Sequence, residues 1–283
     1  MESFLDLACA QARERVAEAR GLVGDPALRE RALATPAPPS LAAALAGPGT
    51  AVIAELKRAS PSAGHLAWLP DPLARARAYL DGGAAAVSVL TEPAHFHGTL
   101  ADLAVVAAGT DAPTIRKDFL VDAYQVWEAR ASGAAAVLLI VAALDDVALA
   151  SLLAEAGQAG LEALVEVHDV AEAERARAAL AAAPPAGRPV VGVNARDLAT
   201  LEVDPARFAA CVEALPEGAL AVAESGVAAP ADLARVAAAG ADAVLVGTHV
   251  VTAVDPAAEV RSLVVAGRGE RGDDPGQATL ERP

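Results

Sequence analysis

The chain has 283 residues, of which 54% are hydrophobic and only 3% aromatic. Its 22 lysines and arginines against 37 aspartates and glutamates give a net charge of −15. That charge argues against a nucleic-acid partner, since nucleic-acid binding depends on neutralising phosphates. The abundance of valine and leucine excludes a disordered chain. The longest apolar run, residues 133–144, is shorter than the roughly 20 residues that span a bilayer, so we expect no membrane partner.

The N-terminus and the cysteines predict a cytoplasmic protein. The first six residues are acidic and lack the basic segment that opens a secretory signal. Cys9 and Cys211 form neither a disulfide framework nor a zinc motif. We therefore interpret them as buried thiols in a reducing compartment.

Residues 1–48 are predicted to form an N-terminal helical extension. Residues 5–20 have the pattern of an amphipathic helix with Glu14, Arg15 and Glu18 on its outer side. Residues 35–39, Thr-Pro-Ala-Pro-Pro, form a stiff break after it. We interpret this segment as packing on the main domain and not as a second domain.

Residues 49–267 contain a repeated unit of one strand and one helix. Short apolar runs of strand length begin at residues 51, 85, 113, 135, 162, 190, 220 and 243. Helical stretches lie between them, as at residues 72–81, 122–132, 145–159 and 229–239. A spacing of roughly 30 residues is typical of one strand, one crossover helix and two loops. The fold class is therefore α/β, a (β/α)₈ TIM barrel with an N-terminal helical extension.

The sequence also bears on the alternative architecture, the C-terminal tail and the oligomeric state. A doubly wound open sheet is the alternative architecture, but no Gly-x-Gly-x-x-Gly follows the first strand. Residues 268–283 are polar and contain glycine and proline, which predicts a flexible tail. We expect a monomer or a weak homo-oligomer.

Polar side chains follow almost every predicted strand. In this class of barrel the chemistry lies at the carboxyl ends of the strands. The polar residues at those ends are Glu55, Lys57, Ser60, Ser88, Lys117, Glu166, Asn194, Arg196, Glu224, Ser225 and Thr248, and only the fourth strand ends apolar. The glycine turns at Gly226 and Gly247 follow the seventh and eighth strands, where such barrels often bind phosphate.

The use of lysine points to proton transfer. Lys57 and Lys117 are the only lysines of the chain, and both fall at predicted strand ends. An ammonium group can lose its proton near neutral pH when its site shifts its pKa, whereas a guanidinium effectively cannot. The two positions are therefore the best candidates for proton transfer or Schiff-base chemistry.

Each of these features also has a simpler interpretation. A strand-end lysine or glutamate can be a solvated charge, and the glycine turns can be ordinary turns. His95 and His97 alternate but have no third metal ligand nearby, so we interpret them as part of a loop and predict no metal site. His168, two residues after Glu166, is expected to have a structural or supporting role.

The strand-end motifs together resemble the indole-3-glycerol-phosphate synthase family. The most specific motif is Glu-Leu-Lys-Arg-Ala-Ser-Pro-Ser at residues 55–62. The likeness continues, in order, through residues 88–92, 116–119, 164–168, 192–198, 223–226 and 245–248. It covers about residues 3–255, nearly the whole chain.

The resemblance implies a carboxy-lyase of tryptophan biosynthesis that uses no cofactor. The implied phosphorylated substrate is 1-(2-carboxyphenylamino)-1-deoxyribulose 5-phosphate. Its ring carbon bearing the carboxylate attacks the C2′ carbonyl, CO₂ leaves, and dehydration yields indole-3-glycerol phosphate. Such chemistry needs an acid for the carbonyl oxygen and carboxylates near the positive charge that develops on nitrogen.

The resemblance also assigns roles to residues of this chain. Lys117 resembles the general acid of ring closure, Glu166 an acid/base of the dehydration, and Lys57 the second catalytic lysine. The division of proton transfer between the lysines stays open. Glu55 and Glu224 resemble carboxylates that orient and stabilise the reacting centre. The expected substrate-binding residues are Asn194, Arg196, Ser225, Ser88, Phe96 and Leu198, and the expected phosphate-binding residues are Ser60, Gly226, Gly247 and Thr248.

Departures from the family pattern leave other functions open. Ala63, Ala195 and the loop at residues 95–99 differ from the usual residues, which leaves room for a diverged paralogue. A phosphate-binding isomerase or an aldolase with a Schiff-base lysine is one alternative. A binding barrel without catalysis is another, and the complete set of lysines and glutamates argues against it.

Overall fold

Eight parallel strands close into a barrel in the computed structural model, which describes residues 3–198 and 200–269. The strands are β1 (Ala51–Leu56), β4 (Ala86–Leu90), β5 (Thr114–Lys117), β6 (Ala136–Ile140), β7 (Glu162–Val167), β8 (Val190–Asn194), β9 (Leu220–Glu224) and β10 (Ala243–Val246). Each pairs with the next, and β10 closes on β1. The short strands β2 (Ala59–Ser60) and β3 (Gly64–His65) form an antiparallel hairpin in the loop after β1. The predicted barrel is confirmed, and the open sheet is excluded.

Helices occupy the connections between the strands. The extension contains α1 (Phe4–Leu22), α2 (Asp25–Ala34) and α3 (Leu41–Leu45). The barrel helices are α4 (Pro72–Asp81), α5 (Leu100–Gly109), α6 (Ala123–Ala131), α7 (Asp146–Gln158), α8 (Val170–Ala182), α9 (Arg207–Cys211), α10 (Pro230–Ala238), α11 (Thr248–Thr252) and α12 (Pro256–Gly269). The predicted starts at Asp122 and Asp145 are N-caps, whose carboxylates accept backbone N–H groups of α6 and α7.

Alternate residues of each strand point into the barrel, because side chains of a strand alternate between its faces. Ile53, Ile115 and Leu164 belong to the cluster inside the barrel, whereas Val52 and Val165 belong to the cluster between the strands and the surrounding helices. Every residue of β4, β6, β8, β9 and β10 is buried. Burial on both faces explains why these strands appear in the sequence as continuous apolar runs.

The extension covers both ends of the barrel. At the amino end, Leu41 and Leu45 of α3 pack with the interior cluster, and the backbone N–H of Ala42 donates to Glu162 at 2.7 Å. At the carboxyl end, α1 begins at Phe4 beside the mouth of the barrel. The predicted amphipathic helix over residues 5–20 is thus confirmed.

The predicted outer face of α1 is wrong at one position. Glu14 and Glu18 are exposed, but Arg15 is turned toward the barrel, where its Nη2 donates to Asp118 Oδ1 at 2.9 Å. Asp118 lies directly after β5 and is 4% exposed. A buried carboxylate needs a cationic partner, and this need overrides the preference of arginine for solvent.

The last helix, α12, ends at Gly269, so it includes the first two residues of the predicted tail. Residues 270–283 of that tail lie outside the described residues. Among the residues that the structure describes, no helix combines the length and the apolar character that crossing a membrane requires.

Candidate active site

A cavity of about 620 Å³ opens at the carboxyl ends of the barrel strands. Both lysines line it, so they lie at the same end of the molecule. The predicted site residues that line it are Glu55, Lys57, Ser60, Phe96, Lys117, Glu166, Asn194, Arg196, Leu198, Glu224, Ser225, Gly226, Gly247 and Thr248. The structure thus brings together every predicted site residue except Ser88.

Lys117 stands between two buried glutamates. Its Nζ lies 2.9 Å from Glu166 Oε2 and 3.0 Å from Glu224 Oε2. Glu166 is 1% exposed and Glu224 is 2% exposed. The last residue of β5 therefore places an ammonium group across the barrel mouth, against the ends of β7 and β9.

A second lysine–glutamate pair lies on β1 and the residue after it. Lys57 Nζ lies 2.9 Å from Glu55 Oε1. The pair fills the space above Gly247, since a Cβ at that position would contact both Glu55 Oε1 and Lys57 Nζ. A glycine at the end of β10 is therefore what allows this pair to approach the neighbouring strand.

Asn194 connects Glu166 to the loop after β9. Its Nδ2 donates to Glu166 Oε1 at 3.1 Å, and its Oδ1 accepts from Ser225 Oγ at 2.8 Å. The backbone N–H of Arg196 donates to the same Oδ1 at 3.0 Å. These bonds fix the amide orientation, so Asn194 presents a donor to the carboxylate.

The electrostatics of the cluster separate the two glutamates. Burial alone would raise the pKa of Glu166, but the charge of Lys117 and the contact with His168 lower it below its ordinary value. Burial, together with the neighbouring Glu166 charge, raises the pKa of Glu224 to about 8 despite Lys117. Burial would lower the pKa of Lys117, yet the charges of Glu166 and Glu224 raise it. At neutral pH the cluster therefore holds an ammonium, a carboxylate and a second carboxyl group that is easily protonated.

A further group of cavity residues has the character of an anion site. Ser60 of the hairpin, Gly226, Gly247 and Thr248 all line it. Ser225 and Gly226 have φ values of 63° and 72°, a turn that glycine adopts without strain. The short helix α11 begins at Thr248, and Lys57 lies nearby against Gly247.

Apolar side chains also line the cavity. Phe96 and Leu198 were predicted there, whereas Phe4 and Phe119 were not. The Phe4 and Phe119 rings meet edge to face with centroids 5.8 Å apart. The position of Phe119, two residues after Lys117, was a signal that could have identified it. Phe4 gave no such signal, because only the packing of α1 brings it to the mouth.

Ser88 does not reach the cavity. It is fully buried within β4, beside Glu55 in the strand register, and Leu90 takes the lining position two residues later. The predicted end of the strand is correct, but Ser88 lies below the cavity and not at its surface. Its Oγ has no hydrogen-bond partner among the described residues.

A metal site is not formed by the residues that the structure describes. Within 3–198 and 200–269, no three His, Cys, Asp or Glu side chains are placed to hold a metal ion. His95 Nε2 instead contacts Gln11 at 3.1 Å, and His97 lies in the same loop with a φ of 56°. The cysteines are both buried and unpaired, as predicted.

Comparison with solved structures identifies the same architecture elsewhere. Thiamine phosphate pyrophosphorylase from Pyrococcus furiosus superposes with a TM-score of 0.58 at 19% identity, covering 79% of this chain and 97% of that one. A 3-hexulose-6-phosphate synthase from Salmonella typhimurium superposes with a TM-score of 0.59 at 16% identity, covering 78% of this chain and all of that one. At these identities the likeness establishes the barrel fold alone.

Comparison with curated proteins establishes the family. The chain is 51% identical over 265 residues to the indole-3-glycerol phosphate synthase of Mycobacterium avium, covering 94% of this chain and 95% of the relative. It is 50% identical over 267 residues to that of Mycobacteroides abscessus, covering 94% of each. A family model described as indole-3-glycerol phosphate synthase matches residues 5–263. The chain therefore belongs to the indole-3-glycerol phosphate synthase family.

Proposed function

We propose that this chain, a carboxy-lyase of tryptophan biosynthesis, converts 1-(2-carboxyphenylamino)-1-deoxyribulose 5-phosphate into indole-3-glycerol phosphate with the cavity residues described above. The observation that carries the assignment of the site is the Lys117 ammonium held between two buried glutamates, beside the Lys57–Glu55 pair. Family membership supplies the reaction, and this geometry supplies its acids and bases.

Lys117 is the general acid of ring closure. Its pKa is raised by the neighbouring glutamates, so it enters the reaction protonated. As the ring carbon attacks the C2′ carbonyl, the carbonyl oxygen gains electron density and takes the proton from Nζ. Positive charge that develops on the anilino nitrogen is stabilised by Glu55 and, when it is ionised, by Glu224, and loss of CO₂ restores the aromatic ring.

Glu166 acts in the dehydration. Its carboxylate is held by Lys117 on one oxygen and Asn194 on the other, which keeps it ionised and oriented. An ionised carboxylate beside the new ring can accept the proton lost from C1′, while the hydroxyl on C2′ leaves as water after it is protonated by an acid. Lys57 is placed to donate to that hydroxyl or to contact the substrate's anionic groups.

Different groups of cavity residues suit the phosphate and the aromatic ring of the substrate. The phosphate binds at Ser60, Gly226, Gly247 and Thr248, where strand-end loops and Lys57 provide N–H donors and positive charge. The anthranilate ring lies against Phe96 and Leu198. Asn194, Arg196 and Ser225 orient the sugar. Ser88 does not line the cavity, so its role is to support the residues of the site without touching the substrate.

The extension belongs to the catalytic unit and is not a separate domain. This is supported by Phe4, which lines the cavity, and by Arg15, which pairs with Asp118 directly after Lys117. A monomer or weak homo-oligomer without a nucleic-acid partner is supported by the net charge of −15. A cytoplasmic location is supported by the two unpaired cysteines.

Turnover of the carboxyphenylamino-deoxyribulose phosphate tests the proposal. We expect indole fluorescence to appear in buffer that contains a chelator and no added cofactor. Borohydride added during turnover tests the aldolase alternative, because reduction would trap a lysine Schiff base. No covalent adduct is expected. An enzyme that makes no indole, or that is labelled at Lys57 or Lys117, would contradict the proposal.

A further inference from the structure

Glu166 has a second cationic neighbour that does not line the cavity. His168, two residues further along the chain, places its Nε2 3.3 Å from Glu166 Oε1. Its side chain is 10% exposed, and it is absent from the residues that line the site. Its second ring nitrogen, Nδ1, lies 3.0 Å from Glu172 Oε2 on the first turn of α8.

The carboxylates next to the His168 ring favour its charged form. Glu172 Oε2 also accepts the backbone N–H of His168 at 2.8 Å, so this carboxylate is fixed as an acceptor. An ionised carboxylate accepts hydrogen bonds and cannot donate them. Negative charge near both ring nitrogens favours a proton on each of them, which makes the ring an imidazolium. Nε2 makes no hydrogen bond within the described residues, so its interaction with Glu166 is one of charge, across 3.3 Å.

The surrounding charges agree with this assignment. Burial alone would lower the pKa of His168, but the contacts with Glu166 and Glu172 raise it to about 10. Asp169, the N-cap of α8, adds negative charge at the same end of the helix. On the side of α9, Arg207 opposes it, and the Cys211 thiol is neutral because burial raises its pKa. Lys117, Glu224 and Asn194 lie beyond Glu166.

We propose that the Glu172–His168 pair is a built-in counter-ion that holds Glu166 ionised and oriented independently of Lys117. The proposal rests on the proposed function, in which Lys117 gives up its proton and Glu166 later accepts one. His168 is a positioning residue in this account, since it acts only through Glu166.

The Glu172–His168 pair keeps Glu166 ionised after Lys117 has lost its positive charge. When Lys117 transfers its proton to the substrate, Glu166 loses the charge that stabilises its ionised form in a buried site. Without another cation, Glu166 would take up a proton and could no longer act as a base. The His168 imidazolium remains in place through this step, and Glu172 prevents the ring from turning away.

The pH profile of kcat in His168→Gln tests the pair. Glutamine keeps a polar side chain but carries no charge. We expect the acidic limb of the profile to move up by about one to three pH units, the range for loss of one close opposite charge. Below the shifted limb kcat should fall about tenfold for each pH unit, the slope of a single protonation, with KM nearly unchanged because His168 does not line the cavity. An unchanged profile with lower thermal stability alone would overturn the proposal.

Glu172→Gln provides a second variant that leaves the histidine in place. It should shift the limb in the same direction by a smaller amount. Glu174→Gln is the matched control, since Glu174 is exposed on the same helix, and its profile should equal that of the wild type. Equal profiles for Glu172→Gln and Glu174→Gln would contradict the proposal.

Nitrogen-15 NMR of the histidine-labelled wild type measures the charge directly. One of the five histidines should keep both ring nitrogens protonated at pH 8, and Glu172→Gln should shift that signal. Five neutral rings at pH 8 would overturn the inference even in an active enzyme. A wild type that forms no indole would instead overturn the proposed function, so the two failures are distinguishable.

Discussion

The floor and the rim of the barrel interior are built by the same strands but from opposite chemistry. In the floor layer β1, β7 and β9 contribute Ile53, Leu164 and Val222. Two residues further along the same strands, the rim layer contains Glu55, Glu166 and Glu224, which are equally buried. The two-residue period of a strand keeps both layers pointing inward. A shift of two residues along each strand therefore separates the side chains that pack the core from the side chains that perform the chemistry.

The difference shows how burial is used in each layer. Burying the floor side chains stabilises the fold, by roughly 1.5–3 kcal/mol for each large aliphatic group. Burying the rim glutamates is unfavourable unless they are paired, and the chain pairs them with its only two lysines. The floor side chains therefore determine the stability of the fold. The rim side chains have the perturbed pKa values that proton transfer uses.

The largest effect is expected from Lys117 in the rim. Lys117→Ala should lower kcat by about 10²–10⁴-fold, because positioned proton transfer contributes that much. Lys117→Arg should be nearly as inactive, since a guanidinium does not give up its proton. Steady-state indole formation measures both, with circular dichroism to verify the fold. More than a tenth of wild-type kcat in Lys117→Ala would reject the acid role.

The matching change in the floor should have the opposite signature. Leu164→Ala removes a fully buried side chain inside the barrel and should reduce the free energy of unfolding by about 2–5 kcal/mol. At temperatures where the variant is folded, kcat should stay within a few-fold of the wild type. Urea unfolding and turnover are measured on the same sample. A loss of kcat comparable to that of Lys117→Ala would remove the distinction between the layers.

A substitution at Gly192 tests whether Glu224 of the rim must be held in a fixed position. It points inward on β8, and a Cβ there would collide with the Glu224 carboxylate. Gly192→Ala should displace Glu224 and lower kcat by up to about 10²-fold, the cost of a misplacement of about 1 Å. Gly157→Ala is the control, since a Cβ at Gly157 in α7 would meet nothing within 4 Å. Equal activity of the two variants would show that Glu224 needs no fixed position.

The smallest effect concerns the pH dependence of stability. The pKa of Glu224 is raised from 4.5 to about 8, so the native state keeps a proton that the unfolded chain loses. This contribution to stability is complete below about pH 4.5 and is lost as pH rises to 8. The lowered pKa of Glu166 changes the free energy of unfolding only below about pH 4.5, outside the range from pH 4.5 to pH 8.

Glu224→Gln should remove this dependence, because glutamine stays neutral. Between pH 5 and pH 8 the free energy of unfolding should fall less in the variant than in the wild type. Urea titrations at both pH values give the difference, and the titration of His168 cancels between the two proteins. Parallel pH dependence in the variant and the wild type would show that Glu224 is ionised throughout.

The sequence predicted the strands and the polar rim because both depend on local patterns. Continuous apolar runs mark strands covered on both faces, and the two lysines are conspicuous where arginine provides all other basic side chains. The pairing of Lys117 with two particular glutamates was not predictable from spacing, since it depends on which strand ends face each other across a closed barrel.

The predictions that failed concern depth and tertiary packing. Ser88 was placed at the rim because a strand end can be located only to within about two residues, which is one layer of the barrel. Arg15 was assigned to solvent because helical periodicity contains no information about Asp118, which is about a hundred residues away in the chain. Phe4 and the two carboxylate contacts of His168 likewise required the assembled fold.

The most direct test of the account follows both products of one reaction. With substrate carrying carbon-13 in its carboxylate, the wild type should release one labelled CO₂ for each indole-3-glycerol phosphate formed, at the same rate. The same measurement with Lys117→Ala should show both products forming about 10²–10⁴-fold more slowly. Release of CO₂ without indole, or indole formation that survives the loss of Lys117, would contradict the central claim that the charged rim of the barrel performs the ring closure.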